Sequence, residues 1–153
     1  MDEHAAGPAG DRAETGDNRA ETGEISVLTP DECWQFVDAA TIGRVGFVAD
    51  DAVQIIPVNY LVADGILIRT LPDGVIAAQA GQPVAFHVDY HDASGIGWSV
   101  LMHGPLLEVD AIELDRIDNP GRVLPWAGGR RDRFLRLQPT DITGRRVHRI
   151  RNT

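Results

Sequence analysis

The stretch Gly43–Thr70, GRVGFVADDAVQIIPVNYLVADGILIRT, decides the fold. It holds three apolar runs rich in Val and Ile, Arg44–Ala49, Val53–Val62 and Ile66–Thr70, each of strand length. Asp50-Asp51 reads as a tight turn between the first two, and Asp64-Gly65 as a hairpin turn between the second and third. The second run is interrupted by Pro57 and Asn59. A proline within a strand marks an edge or a bulge, because it cannot donate to the ladder.

Further strands follow on both sides of a Gly/Ser-rich loop, at Val84–Tyr90 and Trp98–Val109. Two closing strands, Phe134–Gln138 and Ile142–His148, are split at Pro139. Helices are brief. Thr29-Pro30-Asp31-Glu32 is a helix start, with Thr29 as cap, Pro30 in the first turn and Glu32 completing a capping box. That helix is expected to run to about Ala40, with Trp34, Val37 and Cys33 turned inward. Shorter helices are expected at Val75–Ala80, stopped by Gly81-Gln82-Pro83, and at Ala111–Ile117. Asn119–Gly129 is a Pro/Gly-rich loop carrying Trp126. Short strands at close spacing with only brief helices give a mainly β fold, a β-barrel with short helices. No Gly-rich dinucleotide fingerprint follows any strand, which removes a doubly wound reading.

Residues 1–24 contain no large apolar side chain after Met1 and repeat Arg-Ala-Glu-Thr-Gly at Arg12–Gly16 and Arg19–Gly23. They read as a disordered, dispensable acidic tail before a single domain over 25–153.

The chain carries a net charge of −9, which disfavours a nucleic-acid partner. It contains no lysine, so side-chain Schiff-base chemistry and a P-loop are excluded, and any phosphate must be held by arginine, backbone N–H groups or hydroxyls. Arginines crowd the segment after Arg116, whereas residues 25–115 hold only Arg44 and Arg69. The lone Cys33 forms no intrachain disulfide. With no secretory signal and no membrane-spanning run in sight, a cytoplasmic location is expected. His87 and His91 share a strand face but stand about 13 Å apart, too far to share a metal ion.

Taken in order, these segments resemble the pyridoxamine 5′-phosphate oxidase-like family of flavin and deazaflavin split barrels. The resemblance rests on Glu32-Cys33-Trp34, Gly43-Arg44-Val45-Gly46, Pro57-Val58-Asn59-Tyr60 and Ile68-Arg69-Thr70. It continues through Val84–Asp89, Gly97-Trp98-Ser99-Val100 with Gly104, Pro125–Gly129 and Pro139–Arg145. It implies a six-stranded antiparallel FMN-binding split barrel, working as a homodimer with flavin in clefts shared by the two chains. FMN is the implied cofactor and the deazaflavin F420 the alternative, with a small molecule as substrate.

The resemblance also implies the contact residues. Val58, Asn59 and Tyr60 would lie along the isoalloxazine ring, with backbone groups reading its polar edge. Arg69, Thr70, Gly74 and Val75 would surround the phosphate and ribityl chain. Ser99 would sit near the flavin, Trp98 at the cleft or interface, and Trp126 and Arg130 on a loop facing the partner chain or its flavin. Each also has a plainer reading: exposed strand end, protected edge, core tryptophan, lid. Where many relatives carry a lysine after the glycine, this chain has Val75, so a phosphate site there is short of one cation. No acid or base is assigned, because the flavin carries the hydride chemistry. Oxidation of pyridoxamine phosphate itself is not expected, for want of a second basic cluster. An F420-dependent reductase, a haem site using His87 or His103, and a non-catalytic or cofactor-free module remain as alternatives.

Overall fold

The computed structural model describes residues 22–123 and 133–150. Eight strands form one antiparallel sheet: β1 Thr22–Val27, β2 Ile42–Ala49, β3 Ala52–Val62, β4 Ile66–Thr70, β5 Pro83–His91, β6 Ile96–Glu108, β7 Arg133–Leu137 and β8 Asp141–Ile150. Two α-helices, α1 Pro30–Ala39 and α2 Ala111–Asp115, and two 3₁₀ turns complete the described residues.

The strand order is β1-β8-β6-β5-β2-β3-β4-β7, and β7 returns to pair with β6. The circuit β6-β5-β2-β3-β4-β7-β6 is therefore a closed six-stranded barrel, and β8 and β1 continue from it as an extension. The branch lies in β6, whose one edge serves two partners. Ile96–His103 pairs with β8, and Leu106–Glu108 pairs with β7. Gly104 and Pro105 occupy the point of change. There the β7–β8 connection crosses close to the strand, with Gln138 N–H donating to the Pro105 carbonyl at 3.2 Å and Thr140 N–H to the His103 carbonyl at 2.8 Å. A Cβ on Gly104 would stand 2.1 Å from the Gln138 carbonyl oxygen, so glycine is required by proximity.

The meander forms where the sequence places it. Asp50 and Asp51 both adopt positive φ, 52° and 60°, the two-residue geometry that matches strand twist. Asp64 and Gly65 also take positive φ. Alternation along the strands fills the barrel with Val45, Phe47, Val58, Tyr60, Phe86, Val88, Val100, Met102, Leu135 and Leu137, all buried. α1 has the expected capping box, Thr29 with Glu32, and buries Cys33 and Val37, with Cys33 seated over Gly144 of β8, which leaves it room.

Three expectations change. β1, unread in the sequence, begins at Thr22 and pairs with β8 from Thr22↔Ile150 to Val27↔Arg145, so order starts before Ile25. The helix expected at Val75–Ala80 is only the 3₁₀ turn Ala77–Gln79, since Pro72, Gly74 and Gly81 leave too little uninterrupted chain. α2 ends at Asp115 instead of Ile117. Among the described residues no helix is long and apolar enough to cross a membrane.

Two outcomes follow. Gly104→Ala should lower stability by about 1–3 kcal/mol or more in denaturant melts, because the clash is with backbone that has its own pairings to keep. Removal of residues 1–21 should leave the melting temperature unchanged, whereas removal through Glu24 strips three β1–β8 pairs and should lower it.

Candidate functional site

Strand parity sorts the candidate residues. In β3, Val58 and Tyr60 point into the barrel at 5% exposure each, while Asn59 between them points outward. The Tyr60 hydroxyl donates to the Val37 carbonyl, and its ring meets Phe86 edge-on at 5.1 Å. Burial pushes the Tyr60 phenol far above its ordinary range, so it stays neutral. In β4, Thr70 is buried on the interior side with Ile66 and Ile68, whereas Arg69 faces out over the Phe134 ring, 5.5 Å from its centroid. In β6, Trp98 packs inward against Phe36 of α1 at 4.9 Å, and Ser99 faces out. Each candidate pair thus divides between the core and the outer surface.

The outward residues line up. Arg69 is paired with Phe134 on β7 and, one step beyond the Tyr60↔Ile68 pair, falls beside Asn59. Asn59 pairs with Ile42, and on the far side of the barrel Asp89 pairs with Ser99, which pairs with Arg145. Arg145 in turn lies opposite Val27. One row therefore runs around the outer face, with Arg69 and Asn59 on one flank and Ser99 and Arg145 on the other. At about 4.8 Å per strand, Asn59 and Ser99 are three strands and about 14 Å apart. Between the flanks lies an ion pair, Arg44 Nη1 to Asp89 Oδ1 at 3.0 Å. Apolar side chains are exposed on the same face: Val48 and Ile55 at 66% each, Val53 at 74%.

The second flank is a concavity. A cavity of about 620 Å³ opens between the β5–β6 hairpin, β8 and β1. Ser99 and Arg145 line it, with Gly97 in the floor and Ile25, His91 and Val147 around it. Its hairpin is braced by Asp92, whose Oδ1 accepts from the Ser94 N–H at 2.9 Å, the Ile96 N–H at 3.3 Å and the Ser94 hydroxyl. The Ser94 hydroxyl and these amides hold the Asp92 carboxyl below its usual range.

The first flank offers fewer donors than the sequence implies. Val75 is 60% exposed and Gly74 sits beside Thr70, but no α-helix follows them. Trp126 and Arg130 lie outside the described residues. His87 and His103 are both on the outer face, His103 facing Asp141 with Nδ1 3.2 Å from Oδ2. Among the described residues no three His, Cys, Asp or Glu side chains gather to hold a metal ion. Arg145, Gly97 and the cavity they line were missed as site residues. Gly144-Arg145 is visible as a motif, but its place beside Ser99 depends on the β6–β8 pairing.

The sequence pattern of the pyridoxamine 5′-phosphate oxidase family matches residues 29–146, which span β2 to β8 and both flanks of this row. The chain belongs to that family. Its sequence is 32% identical over 133 residues to the uncharacterized protein Rv0080 of Mycobacterium tuberculosis, covering 81% of this chain and 86% of that one. Among solved structures it resembles a FAD binding protein from Mycobacterium smegmatis, at 27% identity and a TM-score of 0.63, covering 80% of this chain and 98% of that one. It also resembles a FAD-binding protein from Mesorhizobium loti in fold, at 20% identity and a TM-score of 0.68, covering 82% and 98%. The family and its flavin-binding split-barrel fold are thus the ones the sequence motifs implied.

The Asp92 brace sets a pH dependence. A carboxyl lowered by folding stabilises above its unfolded value, and that contribution is lost as pH falls through the folded value. Asp92→Ala should therefore be less stable than wild type at neutral pH, with the gap closing in acid, at a pH below the ordinary carboxylate range. Denaturant melts at both pH values, with amide exchange at Ser94 and Ile96, measure it.

Proposed function

We propose that the protein binds a flavin nucleotide between two copies of the chain and acts as an oxidoreductase on a small molecule. The observation that carries this is the division of the outer row into two flanks. Five strand spacings, about 24 Å around the barrel, separate Arg69 from Arg145, so one chain cannot close both flanks on one ligand. A two-fold axis along the strands through the β2–β5 centre lays the Arg69–Asn59 flank of one copy over the Ser99–Arg145 flank of the other. The same contact covers Val48, Val53 and Ile55, an apolar surface that favours association.

The residues present suit a flavin. Arg69 can grip a phosphate bidentately, and its guanidinium is already steadied over Phe134. Asn59 offers an amide donor and acceptor to the ring edge. The cavity beside Gly97 can take a flat body. When bound, the flavin supplies hydride transfer; the protein's share is to orient the ring, exclude water and shape the substrate space. No side chain need move a proton, because the flavin carries the hydride chemistry. FMN is the smallest nucleotide that meets these contacts, and F420 is the alternative. The FAD of the mycobacterial relative contains the same ring and first phosphate. The lone, buried Cys33 suits a reducing compartment such as the cytoplasm.

Titration of the wild type with FMN and with F420, followed by fluorescence, should show saturable binding by a dimer. Arg69→Ala should weaken it about ten- to a hundredfold, the worth of a charge-assisted contact, while the fold survives. A monomer at micromolar concentration, or no binding of either cofactor, would remove this reading.

A further inference from the structure

We infer that Arg145, reaching across from the opposite subunit, is the second cation on the flavin's phosphate and replaces the lysine that this chain lacks. This rests on the flavin reading above, and it assigns a residue that the family motifs leave without a role.

The argument is one of charge. A phosphate monoester carries about −1.5 to −2 at neutral pH, and Arg69 can offset only part of it. Without lysine the second cation must be an arginine. Most arginines of known position are committed elsewhere. Arg44 pairs with Asp89, Arg133 with Glu108, and Arg136 with Glu113. Arg116 lines a different cavity, near α2, but shares it with Asp64, Glu113 and Asp118 against itself and Arg136, so carboxylates outnumber cations there. Arg146 points to the other side of β8, beside Glu24 and Ser26, and is drawn to Glu32. Arg149 lines the same cavity as Arg145, but its stem lies over Gly95 at the hairpin end and it has an interaction of its own.

Arg145 differs. Its side chain is exposed, lines the 620 Å³ cavity, and makes no hydrogen bond or ion pair among the described residues. The two carboxylates of that cavity are already answered, Asp89 by Arg44 and Asp92 by the hairpin's own N–H and O–H donors. The uncompensated charge in the cavity is therefore positive, within a chain of net charge −9. Gly97 presents no side chain to the floor, and Ile25 and Val147 give it apolar edges. The chemistry this surface recognises is a flat apolar body bearing a phosphate. Because Arg145 sits on the flank opposite Arg69, it meets the same phosphate only from the partner copy.

The test separates a phosphate contact from a structural one. Wild type, Arg145→Gln and, as a control, Arg146→Gln are titrated with FMN and with riboflavin, which has the same ring and no phosphate. Arg145→Gln should lose about ten- to a hundredfold in FMN affinity with riboflavin affinity unchanged, and Arg146→Gln should bind FMN as wild type does. The FMN loss should also shrink at high salt, as expected for a charge contact reached by solvent. An Arg145→Gln protein that binds FMN like wild type would overturn the inference and leave the flavin reading standing. Equal weakening toward FMN and riboflavin would assign Arg145 a packing role and overturn it as well. A wild type that binds neither flavin would overturn the flavin reading, and this inference with it.

Discussion

The shared edge of β6 is the constraint on which the rest depends. A six-stranded barrel must close, and this one closes through only three residues of β6, Leu106–Glu108, against β7. The remaining length of that edge would be an unpaired strand, with the association hazard such edges bring. β8 takes it, and β1 then covers β8. The crossing at Gly104 lets one edge serve two partners without a gap. It also fixes which β8 residues lie beside which β6 residues. The pairing Ser99↔Arg145, and hence one wall of the cavity beside Gly97, follows from the closure of the barrel.

Strand parity then decides what a motif can do. The stretches Val58-Asn59-Tyr60, Arg69-Thr70 and Trp98-Ser99 look like contiguous recognition patches in the sequence. In a barrel with a filled interior, every second residue belongs to the core. Val58, Tyr60 and Thr70 are buried, leaving Asn59 and Arg69 as the members whose side chains face outward. Trp98 supports α1 through Phe36 while Ser99 looks out. The inward residues still matter to the site, because they hold the strand whose backbone and alternate side chains a ligand meets. Tyr60 does so twice, pinning α1 through the Val37 carbonyl and filling the barrel against Phe86.

Local chemistry was legible in the sequence and distant pairing was not. The turns at Asp50-Asp51 and Asp64-Gly65, the Thr29–Glu32 capping box and the strand at Ile66–Thr70 carry their signals within a few residues, and the structure has each of them. β1 was unreadable because TGEISV has little apolar content of its own and becomes a strand only by pairing with β8. The expected helix after Gly74 failed for a comparable reason. An apolar run of six residues has helical composition, but nucleation costs more than so short a piece returns. The candidate site divides in the same way. Arg69 and Asn59 could be named from motifs, while the cavity at Gly97 and Arg145 joins residues from the β5–β6 hairpin, β8 and β1 that only topology brings together.

The absence of lysine gives the outer face a particular character. A lysine can swing its point charge toward a phosphate from many positions, whereas arginine delivers a planar fork that must be aimed. A site built only from arginines therefore depends on how firmly each guanidinium is held. Arg69 is held by the Phe134 ring, and Arg44 is engaged by Asp89. That ion pair lies at the centre of the face, with both side chains nearly half exposed, so it adds little to the stability of one chain. Its stronger effect is on specificity. Covering the face would strip water from both charges while leaving them paired, which costs far less than burying either alone. The face thus sets Val48, Val53 and Ile55 around a self-neutralised centre, with Arg69 and Arg145 kept to its flanks.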